Sequence, residues 1–176
     1  MLGKQEEGKL WLEQFEKNAD EARAKVKSAI GEGKSATIVG IMDGAVGYLG
    51  DRFGRGGQVL YRILQMKAPE KVQKLIDGSG TVETVSLETL PEVAGDYLFV
   101  SSFMENDPVK DELMKSPIWS HLDAVKNKQV FELDHDQFYF SDPHLDSRSN
   151  ESARRYVNEE IMLLTNELAI HIITNN

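Results

Sequence analysis

Residues 36–61 read Ala36-Thr37-Ile38-Val39-Gly40-Ile41-Met42-Asp43-Gly44-Ala45-Val46-Gly47-Tyr48-Leu49-Gly50-Asp51-Arg52-Phe53-Gly54-Arg55-Gly56-Gly57-Gln58-Val59-Leu60-Tyr61. Ala36 to Met42 is a short apolar run with no polar face, the pattern of a strand buried on both sides. Asp43-Gly44 marks a turn, and Ala45 to Leu49 a second short extended piece. Glycines then crowd into Gly50 to Gly57. After them Val59, Leu60, Ile63 and Leu64 take helical spacing, in a short helix that ends before Pro69. A buried strand, a glycine-rich loop and a helix in succession point to an α/β fold, in which ligands meet the carboxyl ends of the strands.

Upstream, Leu12, Phe15, Ala19, Ala22, Val26 and Ala29 recur at three- and four-residue intervals with charges between them. This spacing predicts a long amphipathic helix closing at Gly31-Glu32-Gly33. Downstream, Thr81 to Val85 is a predicted strand, and Ser86 is placed to cap a short helix from Leu87 to Val93. Tyr97 to Ser101 is the clearest core strand, Pro108 to Lys115 reads as a helix, and Trp119, Leu122 and Val125 as another. Gln129 to Leu133 is a further strand, and Val157, Ile161, Leu164, Leu168 and Ile172 define a closing helix. Strands alternating with helices predict a three-layer lobe, its mostly parallel or mixed sheet covered by helices on both faces.

The chain has 176 residues, the size of one domain with a substantial core. Its formal net charge of -9 argues against a nucleic-acid surface, which needs concentrated Lys and Arg. The absence of cysteine excludes disulfides, thiolate metal sites and cysteine nucleophiles. No apolar run reaches the length of a membrane span. No signal peptide is visible, since Met1 leads almost directly into helical sequence.

Gly54-Arg55-Gly56-Gly57 opening a helix could hold an anion through first-turn amides. It matches neither G-x-G-x-x-G nor G-x-x-x-x-G-K-[ST], so a nucleotide site has little support. The plain alternative is a tight strand-to-helix turn carrying a solvated arginine. The glycines give Arg55 room to extend, so its removal is expected to leave stability almost unchanged. A second candidate is Asp136-Gln137-Phe138-Tyr139-Phe140-Ser141-Asp142-Pro143. If extended, Phe138 and Phe140 point one way and Tyr139 the other, as a half-buried strand or an aromatic pocket wall. Asp134-His135-Asp136 with His144 lacks the ligand spacing of a metal site and reads as an exposed loop. No catalytic set emerges: there is no G-x-S-x-G and no H-E-x-x-H, and no spacing selects Asp43, Asp51 and Asp136 as paired carboxylates. Glu88 in a first helical turn is explained locally by the helix dipole.

Several segments, in order, resemble the C-terminal lobe of ABC-importer substrate-binding proteins for iron-siderophore complexes, the ferric hydroxamate binders of Gram-positive bacteria in particular. They are LGKQEEGKLWLEQFEKNADEARAKVK, GDRFGRGGQVLYRILQMKAPEKV, VSLETLPEVAGDYLFVSS, SPIWSHLDAVKNKQVFELD and FYFSDP, spanning Leu2 to Pro143. The resemblance implies two α/β lobes joined by a long helix, with residues 1–30 part of that helix and residues 31–176 the C-terminal lobe. It implies no enzyme activity and no intrinsic cofactor, the ligand being an iron(III)-siderophore complex held between the lobes. It also implies docking on ABC permease subunits and a place outside the cell membrane or in the periplasm. The membrane would be met only through an N-terminal lipid anchor absent from this chain.

Carried over by position, the ligand-facing aromatic and arginine fall on Phe53 and Arg55, the aromatic strand on Phe138 with Tyr139 and Phe140, and the permease-docking glutamate on Glu88. Relatives often have tryptophan where Phe53 stands. Where they often carry an aromatic before the Gly-Asp pair, Gly47 stands here, with Tyr48 one place later as the candidate. The stretch after Pro143 is longer than the usual ending.

A ferric trihydroxamate is bulky and nearly neutral, so aromatic walls and one or two donors suit it, and a guanidinium addresses several oxygens from a fixed fork. A triscatecholate is strongly anionic and should call for several cations, whereas the loop offers only Arg52 and Arg55. Hydroxamate is therefore the expected class. The siderophore fills the iron's coordination sphere, so no protein ligand to the metal is expected. The alternatives are a lobe for another chelate (catecholate siderophore, haem or cobalamin) or a small α/β phosphate- or nucleotide-binding enzyme.

Overall fold

A computed structural model of the chain describes residues 2–52, 54–102, 104, 106–133 and 165. Helix α1 (Leu2–Ile30) closes where Gly31 takes the left-handed conformation at φ 84°, its amide donating to Lys27 O at 3.1 Å. Ala19, Ala22 and Val26 form its buried stripe, flanked by the partly buried Phe15 and Ile30. Leu12, expected on that stripe, is 55% exposed.

Strands β1 (Ala36–Met42) and β2 (Ala45–Leu49) form an antiparallel hairpin through Asp43-Gly44. β3 (Val82–Thr84) extends the hairpin on one side. β4 (Tyr97–Ser102) and β5 (Val130–Leu133) run parallel to β1 on the other, giving the order β3-β2-β1-β4-β5. The sheet is thus mixed: a parallel half formed through crossover helices and an antiparallel half formed by tight connections.

Residues 36–41 are all buried because β1 is central in the sheet and covered on both faces. Alternation along the strands sorts their side chains between two cores. Ala36, Ile38, Leu49, Tyr97 and Phe99 pack under α1 and a π-helical segment, Gln58–Ile63. Val39, Ile41, Tyr48, Leu98 and Val100 pack on the opposite face. That face is covered by α2 (Glu70–Asp77), a 3-10 segment (Leu87–Glu92), α3 (Pro108–Lys115), α4 (Pro117–His121) and α5 (Asp123–Lys126). These are the three layers the alternating pattern predicts.

Three local expectations are modified. Ser86 precedes the 3-10 segment, but its hydroxyl bonds no backbone amide there and lies 3.2 Å from Thr89 Oγ1. The helix expected around Trp119 is divided at Leu122, whose ψ of 137° is extended. The segment after the glycine loop is wound more loosely than an α-helix, with Leu64 N donating to Val59 O at 2.8 Å. The expected closing helix lies outside the described residues apart from Thr165, which is helical and buried.

Candidate functional site

The glycine loop leaves β2 at Gly50, whose amide donates to Thr81 O at 2.8 Å, and ends at Gly57. Its ends are pressed together: a Cβ added to Gly57 would lie 2.2 Å from Gly50 O. Asp51, 8% exposed, accepts a 2.7 Å hydrogen bond from Arg62 Nε, which ties the start of the loop to the helical segment after it. Its other oxygen, Oδ1, is buried with no hydrogen-bond partner among the described residues. Arg52 is exposed, its Nε 4.0 Å from that atom.

At the tip, Gly54, Arg55 and Gly56 have φ values of 82°, 51° and 84°. Left-handed backbone is free for glycine but costs an L-residue about 1–2 kcal/mol. The arginine at that position is therefore held by what its side chain does. It is 4% exposed, and Nη1 donates to Ser101 Oγ at 2.9 Å. Ser101, 2% exposed, lies opposite Gly40 of β1 and Leu133 of β5. The guanidinium thus stands near the carboxyl ends of the three parallel strands, on the face shared with α1. This corrects the expectation of a solvated side chain with no bearing on stability. The loop folds onto the sheet, and the arginine is part of how it is seated.

Tyr48 is not brought to Arg55. It is 4% exposed and belongs to the core on the opposite face, since adjacent residues of a strand point to opposite sides. Burial pushes its hydroxyl up to about 12, helped by the hydrogen bond to Glu83 and that residue's charge. Phe53, Phe138, Tyr139 and Phe140 lie outside the described residues, as do Asp134, His135, Asp136 and His144. Among the described residues no cluster of three or more His, Asp or Glu could hold a metal ion.

Glu88 is exposed in the first turn of the 3-10 segment. A hydrogen bond from its own backbone amide and another from Ser86 hold its carboxyl below the usual carboxylate range, so it is ionised at neutral pH. Ser86 and Leu87 beside it line an open cleft of about 400 Å³ with Val46, Val109, Glu112 and Leu113. That cleft lies on the sheet face away from Arg55 and reaches Gly44, in the turn that follows β1.

The sequence reading missed Ser101 as a site residue and the Asp51–Arg62 pair. The available signal for Ser101 was two serines ending an otherwise apolar strand, Tyr97-Leu98-Phe99-Val100-Ser101-Ser102. The second is explained by structure: Ser102 Oγ donates to Asp107 Oδ2 at 2.7 Å, and Asp107 caps α3 by accepting from Val109 N at 2.9 Å. The first is left facing the loop.

The family described as "Periplasmic binding protein" matches residues 1–137. The iron(3+)-hydroxamate-binding protein YxeB of Bacillus subtilis is 36% identical over 146 residues, 81% of this chain and 46% of that protein. A FhuD-fold periplasmic binding component of a ferrichrome ABC transporter from Bacillus subtilis superposes with a TM-score of 0.78 at 29% identity, covering 92% of this chain and 55% of the other. FhuD2 from Staphylococcus aureus with bound ferrioxamine B superposes with a TM-score of 0.68 at 26% identity, covering 93% and 61%. The chain spans about half the length of the relatives it matches.

Proposed function

This chain belongs to the periplasmic binding protein family, and from that we propose that it is the C-terminal lobe of a receptor that binds iron(III)-hydroxamate siderophores outside the cytoplasm for import by an ABC permease. Residues 31–176 then form the lobe and residues 1–30 part of the helix that connects it to a second lobe. The observation that carries the reading is Arg55, a buried guanidinium seated on Ser101 Oγ at the carboxyl ends of the parallel strands. One fixed planar cation suits a bulky, nearly neutral chelate whose oxygens surround the iron. To Phe53, Phe138 and Tyr139 we assign the aromatic contacts that such a chelate calls for. The chain binds and releases its ligand and carries out no chemistry on it.

A titration tests this. Ferrioxamine B is expected to quench the tyrosine and tryptophan emission saturably, at one-to-one stoichiometry, while ATP does not. Affinity should be far below that of a two-lobed receptor, because a cleft ligand divides its contacts between lobes and only the surplus over association costs appears as binding. No saturable quenching at millimolar ferrioxamine B would remove the hydroxamate reading. Sub-micromolar binding by this chain alone would instead remove the half-site reading.

We further assign Glu88 to permease docking. It is exposed, ionised and set on the surface of the lobe, where an exposed carboxylate orients a cationic partner. Glu88→Ala is expected to leave the melting temperature and ferrioxamine B affinity unchanged while lowering iron uptake by cells that carry the variant in a two-lobed receptor. Uptake equal to wild type at limiting ligand would end the docking role.

A further inference from the structure

We propose that Ser101 is a positioning residue for the candidate ligand site, acting through Arg55; this rests on the reading of Arg55 as a ligand contact. Glycines at φ 82° and 84° flank Arg55, so its immediate neighbours project no side chains that fix the direction of its own. A constraint on its direction acts at the far end. Nη1 donates to Ser101 Oγ at 2.9 Å, and both residues are more than nine-tenths buried. Ser101 itself sits in the interior of the sheet, with β1 paired on one side and β5 on the other. Its neighbour on β1 is Gly40, which projects no side chain beside the hydroxyl. A guanidinium is a rigid planar fork, so one bond to a fixed acceptor restricts the orientation of the remaining donors. An arginine held in one orientation loses less side-chain entropy when a ligand arrives.

The test is a double-mutant cycle in the 176-residue chain. The probe is the gallium(III) complex of desferrioxamine B, a diamagnetic stand-in for ferrioxamine B, titrated by NMR so that weak binding is measurable. Ser101→Ala is expected to weaken binding about threefold to tenfold, the scale of one hydrogen bond. In an Arg55→Ala background the same change should have no effect, since the group it positions is gone. Ser101→Thr keeps the hydroxyl and should stay near wild type. The Arg55 Nε–Hε resonance should broaden in Ser101→Ala and remain sharp in Ser101→Thr. Should Ser101→Ala melt below the assay temperature, Ser101→Cys, of similar size but a weak acceptor, takes its place with the same expected loss.

An equal loss in both backgrounds would mean that Ser101 acts independently of Arg55 and would overturn the proposal. So would a Ser101→Ala variant with wild-type affinity when Arg55→Ala binds weakly; in that case the ligand reading of Arg55 survives. If Arg55→Ala itself binds as wild type does, the ligand reading fails and the positioning role with it.

Discussion

Arg55→Ala is expected to weaken ferrioxamine B binding about tenfold to a hundredfold, because a hydrogen bond to a charged group is worth roughly 1.5–3 kcal/mol. Lysine should recover only part of this, keeping the charge but losing the planar fork. The burial of Arg55 adds a second effect, on folding. Alanine gives up the bond to Ser101 yet keeps a left-handed backbone at φ 51°, whereas glycine gives up the bond and relieves the strain. Arg55→Gly should therefore be more stable than Arg55→Ala by about 1 kcal/mol, with both below wild type. Urea unfolding and fluorescence titration of the three variants separate the two effects. Wild-type affinity in Arg55→Ala would return the loop to a structural turn. Equal stability of the alanine and glycine variants would show that the backbone strain is released elsewhere.

Gly57→Ala should be the most damaging single-methyl change in the loop. Gly57 has φ -59° and ψ -44°, helical values that alanine prefers, so local propensity alone would predict a gain. Its Cβ, however, would lie 2.2 Å from Gly50 O and 3.3 Å from Gly50 C, both backbone atoms that no rotamer change can remove. The strand end or the helical segment must shift, at a cost of about 1–3 kcal/mol or more. Arg55 lies between these two points, so ligand affinity should fall as well. Gly8→Ala is the control: nothing lies within 4 Å of the added methyl, and removing a helical glycine should stabilise by about 0.5–1 kcal/mol. A Gly57→Ala variant that melts with wild type would mean the loop ends are not in contact in solution.

Periodicity made most of the fold legible. The stripe Phe15, Ala19, Ala22, Val26 carries its burial in its helical spacing, and the run Ala36–Met42 in having no polar face at all. Leu12 continues the same spacing but is exposed, because periodicity says where a face points and not how far the partner layer reaches. Tyr48 shows the same limit. Alternation sets it opposite Leu49, but only the assembled sheet decides which face the Gly50–Gly57 loop crosses. The candidate site was legible as a loop and not as a geometry. Arg55 and Ser101 are 46 residues apart, and their meeting depends on β4 inserting beside β1. Asp51 and Arg62 are 11 apart, nearer, yet joined only once the loop has folded back.

The order of the strands has one more effect. A sheet's outermost strands expose unpaired amides and carbonyls to any passing chain, which makes them templates for intermolecular β-pairing. Among the described residues those positions fall to β3, three residues long, and β5, four residues long. Each carries an exposed glutamate, Glu83 and Glu132, the latter within 2.7 Å of Lys110 Nζ. The long apolar strands, β1 and β4, are shut inside. The longest apolar strands are therefore the ones whose backbones are already paired along both edges, which removes them as templates for intermolecular pairing while the sheet is intact.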